Sequence, residues 1–265
     1  TASGDNSTAM GESTTASGEH STAMGEYTSA SGNQSTAMGY YTEAIGDYST
    51  AMGNQTEASG WYSTAMGYKT TADYMATAMG RETTASGAQS TAMGLATTAS
   101  GGSSTAMGWG TTASGHNSTA MGESTTASGD NSTAMGESTT ASGDNSTGIG
   151  HGLTAPSYAE TVVGCNNTTY SLSLSLYSAS AWYPNDRLFV VGNGEDEYPW
   201  SLSNALTIYK NGRMNINDAY DMPMSDGSAG QVMTTDGAGV VSFQNTVAGW
   251  ELLGNAGTVN GTNFI

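Results

Sequence analysis

The sequence has few of the residues that build an ordinary globular core. Its 265 residues include only three Phe and four Pro, and hydrophobic residues make up 36% of the chain. A chain of this length with so little apolar surface cannot bury one large core. It must therefore be either disordered or built from repeats.

Basic residues and cysteines are also scarce. Five Lys and Arg stand against 23 Asp and Glu, so the formal net charge is −18. Nucleic acids and anionic membrane surfaces require clusters of basic side chains, and both are excluded as partners. Cys165 is the single cysteine and cannot form a disulfide within the chain. The sequence shows no signal peptide and no transmembrane run. It begins at Thr1 in the middle of a repeat, which predicts that the natural N-terminus lies elsewhere.

What the sequence does contain is one fourteen-residue phrase, repeated from the first residue onward. The segment STAMGESTTASGDN at 132–145 repeats residues 118–131. Each copy holds two half-phrases, S-T-A-M-G and T-T-A-S-G, each followed by two variable residues. Thr-containing runs that end in Gly and a polar pair predict a short strand and a tight turn. Because Gly recurs every seven residues, helices are disfavoured, and the pattern predicts an all-β solenoid of fourteen-residue coils with parallel ladders.

Alternation along the strands assigns side chains to two faces. Ser7, Ala9 and Gly11 are expected to face the interior, where small residues allow two sheets to form a very flat roll. Thr8 and Met10 face outward. A long exposed methionine stripe would cause aggregation, so we expect association about an axis to cover it. The predicted interface column is Met10, Met24, Met38, Met52, Met66, Met79, Met93, Met107, Met121 and Met135.

The S-x-A-x-G phrase at seven- and fourteen-residue spacing resembles the head repeats of YadA-type trimeric autotransporter adhesins over residues 1–152. The resemblance implies a left-handed parallel β-roll that associates as a homotrimer, with the Thr8 and Met10 columns facing the threefold axis. This chain uses Met where Ile or Val is more common in the family. Ile45 and Ile149 take the corresponding places in their half-phrases. Met is more flexible and would pack the axis less rigidly.

The repeat register is expected to end at Gly152. Beyond it, strict alternation predicts a strand at Ser171–Tyr177, and apolar runs predict a strand at Arg187–Gly194 and a hairpin at 204–216 with Asn211-Gly212 as its turn. Short strands separated by Asp226-Gly227 and Asp236-Gly237 follow.

The C-terminal part, with phrases such as RLFVVGNG and GQVMTTDGAGVVSF, resembles the shafts of bacterial and phage fibres. That resemblance implies a β-prism in which three chains interlock, and a self-cleaving intramolecular chaperone beyond Ile265. The predicted domains are therefore head repeats at 1–152, a β-rich connector at 153–217 and a β-prism-like shaft at 218–265. No proteolytic activity is assigned to these residues.

No motif in the sequence indicates catalysis or a cofactor. The glycine-rich phrases lack the lysine of a phosphate-binding loop. The three histidines are too scattered for a metal site, and nothing places a nucleophile beside a base. The sequence therefore predicts no enzyme, no metal and no cofactor. The histidines are His20, His116 and His151, and the aspartates predicted to be solvated turn residues are Asp5, Asp130 and Asp144.

The variable pairs change character along the chain. Near both ends they are mostly Glu-Ser and Asp-Asn, whereas between Glu26 and Gly110 they carry every aromatic residue of the repeats. Turns on a rigid scaffold commonly carry function, and exposed Tyr and Trp suit sugars or protein epitopes. The alternatives are neutral drift and packing of the tyrosines against a neighbouring chain. The predicted binding residues are Tyr27, Tyr40, Tyr41, Tyr48, Trp61, Tyr62, Tyr68, Lys69, Tyr74, Arg81 and Trp109.

These features predict the tip of a homotrimeric extracellular fibre that attaches to a cell-surface glycan, protein or matrix. The sequence leaves two alternatives open. One is a receptor-binding tail fibre of a phage. The other is an ice-binding protein that uses an outward threonine column interrupted by Ser29, Glu43 and Glu57. That column comprises Thr15, Thr71, Thr84, Thr98, Thr112, Thr126 and Thr140.

Overall fold

A computed structural model describes residues 1–169, 178–195 and 201–245. Within these ranges the chain is all-β, with twenty-nine strands and no helix. The strands are β1 (Thr8–Glu12), β2 (Thr15–Ala16), β3 (Thr22–Glu26), β4 (Ser29–Ala30), β5 (Thr36–Tyr40), β6 (Glu43–Ala44), β7 (Thr50–Asn54), β8 (Glu57–Ala58), β9 (Thr64–Tyr68), β10 (Thr71–Ala72), β11 (Thr77–Arg81), β12 (Thr84–Ala85), β13 (Thr91–Leu95), β14 (Thr98–Ala99), β15 (Thr105–Trp109), β16 (Thr112–Ala113), β17 (Thr119–Glu123), β18 (Thr126–Ala127), β19 (Thr133–Glu137), β20 (Thr140–Ala141), β21 (Thr147–His151), β22 (Thr154–Ala155), β23 (Thr161–Cys165), β24 (Arg187–Asn193), β25 (Asn204–Tyr209), β26 (Met214–Ile216), β27 (Tyr220–Asp221), β28 (Gln231–Thr235) and β29 (Val241–Asn245).

Each coil of the solenoid contains one long and one short strand. The odd-numbered strands from β1 to β23 stack in parallel into one sheet, and the even-numbered strands from β2 to β22 form a second, 11-stranded sheet. Successive coils are in register at fourteen residues, with Ala23 beside Ala37. The strand expected in the second half-phrase is only two residues long. It stops early because the next residues turn back, and the Ser21 N–H donates to the Gly18 carbonyl at 3.2 Å.

The interior between the two sheets is filled by small side chains. The alanines of both sheets, such as Ala23 and Ala30, are completely buried. Columns of Ser and Thr flank them, and the Ser21 hydroxyl donates to the Gly18 carbonyl at 2.7 Å. The buried hydroxyl of Thr28 has no hydrogen-bond partner within the described residues. This composition keeps the sheets close together, as the alternation of small residues predicts.

The glycine of the long strand does not occupy its predicted place. Alternation assigned Gly11 to the interior, but Gly11 and its equivalents as far as Gly136 are exposed. Gly39, for example, has a φ of +130°, and a Cβ on it would lie 1.9 Å from the Gly53 carbonyl oxygen of the next coil. Glycine is therefore required here by the positive φ and by the close approach of successive coils.

The regular stacking continues beyond Gly152, so the expected end of the register was wrong. β22 and β23 add another coil in the fourteen-residue register, and β24 then pairs in parallel with β23. Larger side chains fill the interior here, including the buried Leu153, Val162 and Val190. The register persists because Thr161–Cys165 keeps the pattern of a β-forming segment followed by glycine, although the letters differ from the repeat.

After β24 the sheet continues with antiparallel pairs, from β24 and β25 to β26 and β27. β24 confirms the strand predicted at Arg187–Gly194, and β25 and β26 form the hairpin predicted around Asn211-Gly212. β28 and β29 pair as a second hairpin on either side of Asp236-Gly237. The strand predicted at Ser171–Tyr177 and the shaft beyond residue 245 lie outside the described residues. The β-prism and the three-domain division stay predictions.

Two buried ion pairs stabilise the junction between the last coil and these strands. The Arg187 Nε lies 2.6 Å from the Glu160 Oε1. The Glu160 Oε2 accepts hydrogen bonds from the Ser157 N–H at 3.0 Å and hydroxyl at 2.9 Å. Burial raises the pKa of Glu160, although the neighbouring Arg187 opposes this effect. The Lys210 Nζ lies 3.2 Å from the Asp186 Oδ2, and both of these side chains are fully buried.

Candidate binding surface

The variable residues lie at the two edges of the flat solenoid. We call the edge that follows the long strands the first edge, and the edge that precedes them the second edge. At the first edge, one variable residue ends the long strand, as Tyr40 does, and the next has a positive φ, as Tyr41 does at 51°. The Tyr41 N–H donates to the Glu26 carbonyl at 3.0 Å, which carries the ladder through the corner. The edge side chains consequently repeat once per coil.

The second residue of each variable pair is less free to vary than its position in a turn suggests. Throughout residues 1–169 this residue has a positive φ, for example 62° at Tyr48 and 53° at Ala96. No Thr, Val or Ile occupies the position, although Thr is abundant elsewhere in the repeats. The left-handed conformation is costly for β-branched residues, which explains their exclusion. The second residue of each pair is therefore restricted by its backbone conformation.

The first edge begins with a cluster of three tyrosines. Tyr27 stacks on Tyr41 with ring centroids 4.7 Å apart and an interplanar angle of 12°. Tyr40 meets Tyr41 edge-on at 4.6 Å and 85°. Desolvation by this packing, followed by the proximity of Tyr41 and Glu26, raises the pKa of Tyr40. The packing of the three rings therefore favours the neutral form of Tyr40.

Two basic side chains follow on the same edge. The Lys69 Nζ lies 5.3 Å from the centroid of the Tyr68 ring, and the Arg81 Cζ lies 5.8 Å from it. Both distances are within the range of cation–π attraction. Trp109 lies two coils beyond Arg81 and is 54% exposed.

The second edge carries the remaining predicted residues. Tyr48 stacks on Tyr62 with centroids 4.8 Å apart and an interplanar angle of 6°. Trp61 and Tyr74 are exposed beside them. The coil that contains Tyr74 is one residue shorter than the others, with Asp73 in place of a Ser-Gly pair. The structure therefore places the predicted residues in two strips on opposite edges of the solenoid.

The aspartates of the second edge are more than solvated turn residues. The Asp130 Oδ1 accepts the His116 N–H at 2.9 Å, and the Asp144 Oδ1 accepts the Asp130 N–H at 3.0 Å. Asn33 and Asp47 make the same contact at 2.8 Å. Each of these side chains caps an amide of the preceding coil. Asp or Asn at fourteen-residue spacing, at 33 and 47 and again at 130 and 144, was the sequence signal for these contacts.

The predicted methionine column lies on the outer face of the long-strand sheet. Met24 pairs with Met38 in the ladder, and the column is continued by Ile149 after Met135. These side chains are half-buried by their neighbours in the column, whereas Met10 at the end is 54% exposed. Ile45, in contrast, lies on the other side of the coil, next to the short-strand sheet, and is exposed.

The threonine column on the outer face of the short-strand sheet is interrupted as the sequence indicates. Glu43 and Glu57 are neighbours in that ladder, and Ser29 precedes them. Two adjacent carboxylates leave no uniform threonine surface in this part of the sheet.

The described part of the chain contains no cluster of three or more His, Cys, Asp or Glu side chains that could hold a metal ion. No helix long and apolar enough to span a bilayer is found in the same residues.

The stacked fourteen-residue coils and their variable edges define the protein as a parallel β-solenoid repeat protein. The family described as "YadA head domain repeat (2 copies)" matches residues 2–27, 16–42, 44–70, 74–97, 99–125 and 127–152. The chain therefore belongs to the YadA head family, which confirms the resemblance found in the repeats. This is a family of structural adhesins, which indicates an adhesin-like role at an exposed surface. A search of curated proteins finds no match.

Proposed function

We propose that the protein is the tip of a homotrimeric surface fibre and attaches through the aromatic side chains of its central coils. The observation that carries the proposal is their distribution. All nine aromatic residues of the repeats occupy edge positions between Tyr27 and Trp109, and they are 37% to 56% exposed. A scaffold that repeats almost unchanged around them places equivalent edge side chains of adjacent coils about 5 Å apart.

The methionine column supports the trimeric assembly. In a single chain this apolar stripe runs the length of the solenoid on an outer face, where water would contact it. Monomers rarely expose continuous apolar surfaces of this kind. Three chains that bring their columns to a common axis would cover the stripe and leave both edges of each chain available for binding.

Assembly is tested by replacing Met52, Met66 and Met79 with Asp in one variant. Burying these charges at the axis is unfavourable, so we expect the variant to sediment as a monomer and the unchanged protein as a trimer. The matched control places three Asp in the exposed column beside the other sheet, at Ser86, Ser100 and Ser114, and should remain trimeric. A monomeric unchanged protein would contradict the proposal.

Attachment is tested by replacing the aromatic edge pairs with the pairs found near the ends of the solenoid. Tyr40-Tyr41 and Tyr68-Lys69 become Glu-Ser, and Trp61-Tyr62 becomes Asp-Asn. Binding to a glycan array and to immobilised matrix proteins should be lost while the melting temperature changes little, because Ser and Asn already occupy these corners. The control replaces Glu123-Ser124 with Ala-Ala.

Full binding by the edge variant would exclude the edges as the site. The connector would then be the next candidate, since Trp182 and Tyr183 are exposed there. Tyr198 and Trp200, which follow in the connector, lie outside the described residues.

A further inference from the structure

The two basic residues of the solenoid converge on one tyrosine. Arg81 lies directly beside Tyr68 in the ladder of adjacent coils, and Lys69 follows Tyr68 in the chain. Both cationic groups lie within 6 Å of the same ring. In a chain with a net charge of −18, two neighbouring cations on an exposed edge form a local site of opposite sign.

Within the described residues, neither of these two cations forms a buried ion pair. The other three basic side chains each pair with a carboxylate: Arg187 with Glu160, Lys210 with Asp186, and Arg213 with Asp221. Within the described residues, Lys69 has no carboxylate within 4.0 Å. Arg81 pairs at 3.4 Å with Glu82, and both side chains are largely exposed, so water and salt screen this pair.

The remaining acidic residues of the first edge are too distant to cancel the positive charge. Glu26 lies three coils before Tyr68, and Glu123 lies three coils after Arg81. Three coils span about 14 Å, which exceeds the screening length of about 8 Å at physiological ionic strength. Among the first-edge residues from Asn54 to Trp109, Lys69 and Arg81 therefore outnumber the one carboxylate, Glu82, despite the acidity of the whole protein.

The neighbouring coils add groups that suit a sugar chain. Asn54 precedes Tyr68 in the ladder, and Gln55 beside it is exposed, so both can hydrogen-bond hydroxyl groups. Leu95 and Trp109 follow Arg81 in the same ladder and present apolar surface for the face of a sugar ring. The groups form a linear array along the edge, one set per coil, which matches a polymer better than a small compact ligand.

We propose that the first edge between Asn54 and Trp109 binds an acidic polysaccharide, with a carboxylate or sulfate group held between Lys69 and Arg81. The inference rests on the proposed function and names its ligand class. Each anionic group would accept charge-assisted hydrogen bonds from the two basic side chains. Glu82 competes for Arg81 and lowers the affinity in the unchanged protein.

The test uses the full chain and three polymers with one backbone: dextran, carboxymethyl-dextran and dextran sulfate, immobilised at equal density. We expect one or both of the acidic dextrans to bind and dextran to bind at least several-fold less. The double variant Lys69→Ala and Arg81→Ala should bind the acidic polymer about tenfold more weakly, since two screened contacts are lost. Binding by the unchanged protein should also decrease as salt is added.

A single charge change in the opposite direction distinguishes a local site from overall charge. Glu82→Gln should raise the affinity for the acidic dextran about threefold, because Arg81 is released. Glu123→Gln makes the same change in net charge three coils away and should leave the affinity unchanged. Binding to only one acidic polymer would identify the anionic group as carboxylate or sulfate.

The outcomes separate the inference from the proposed function. If the double variant keeps its affinity for the acidic dextrans, or if Glu82→Gln and Glu123→Gln behave alike, the inference is wrong. Stronger binding to poly-glutamate than to either acidic dextran would also overturn it, in favour of an acidic peptide. The proposed function survives these results if the edge variant still loses attachment to cells or matrix, and it is wrong if that variant attaches fully.

Discussion

Gly39 lies directly against Gly53 of the next coil, so that a Cβ on Gly39 would be 1.9 Å from the Gly53 carbonyl oxygen. The same contact recurs between Gly53 and Gly67 at 2.0 Å. Backbone therefore meets backbone along this column, and no side chain fits between the coils. This contact gives the glycine of each S-T-A-M-G phrase a structural role that is separate from the packing of the interior.

We expect Gly39→Ala to lower the free energy of unfolding by about 3 kcal/mol or more, because strain at positive φ adds to a clash with the next coil. The matched control is Gly212→Ala. Gly212 has a φ of +88°, and nothing lies within 4 Å of the point where its Cβ would stand, so only the strain should remain, about 1 kcal/mol. Chemical denaturation measures both values. Equal losses at the two sites would show that the coil contact is unimportant.

The buried threonine column offers a stabilising substitution. The Thr70 hydroxyl is fully buried and has no hydrogen-bond partner among the described residues. Thr70→Val removes this unsatisfied group while keeping the shape of the side chain, so we expect a gain of about 1 kcal/mol in the free energy of unfolding. Thr71→Val, on the outer face, should change it by less than about 0.5 kcal/mol. A loss of stability at Thr70 would indicate a hydrogen bond that forms only in the assembled protein.

The edge conformation predicts opposite effects for two substitutions of one alanine. Ala96 has a φ of 53°, and the equivalent residue one coil later is Gly110. Ala96→Gly should stabilise the protein by about 0.5 to 1 kcal/mol, whereas Ala96→Val should destabilise it by about 1 to 2 kcal/mol. Thermal unfolding of the two variants checks the prediction. Similar melting temperatures would mean that the corner backbone adapts to a branched side chain.

Because Glu160 is buried, we expect the free energy of unfolding to depend on pH. Burial raises its pKa in the folded state, so the folded protein holds this proton more tightly than the unfolded chain does. The resulting stabilisation is complete at pH values below the pKa of Glu160 in the unfolded chain. It is lost as the pH rises through the pKa of Glu160 in the folded protein. The stability advantage of the unchanged protein over Glu160→Gln should therefore be greatest in acid and decrease towards neutral pH. Denaturation of both proteins across this range measures it.

A matched charge change isolates the effect of burial. Glu123→Gln removes an exposed carboxylate and is measured at the same pH values as the control. A Glu160 advantage that instead grows with pH would show that the attraction of Arg187 outweighs burial. The folded pKa would then lie below its ordinary value.

The repeated phrase was enough to predict the coil, most of its faces and its apolar stripe. In a parallel solenoid the stacking register equals the repeat length, so residues at equal positions of the phrase become neighbours in space. The Met24 and Met38 column and the buried Ala23 and Ala37 column could therefore be predicted without any knowledge of long-range contacts. The restriction of aromatic residues to the variable pairs was visible in the same way.

The contacts that the glycines, the aspartates and the basic residues make depend on how the coils stack. The roles of Gly39 and of the Asp130 ladder depend on distances between adjacent coils, which the spacing of letters does not contain. The convergence of Lys69 and Arg81 on one ring required the corner geometry, because the coil between them is shortened by one residue. The extra coil after Gly152 keeps the register with different letters, and the junction beyond it rests on contacts between segments outside the repeat. The physical reason is that periodicity specifies neighbours within the ladder, whereas backbone approach, corner conformation and ion pairing arise only once the coils are stacked.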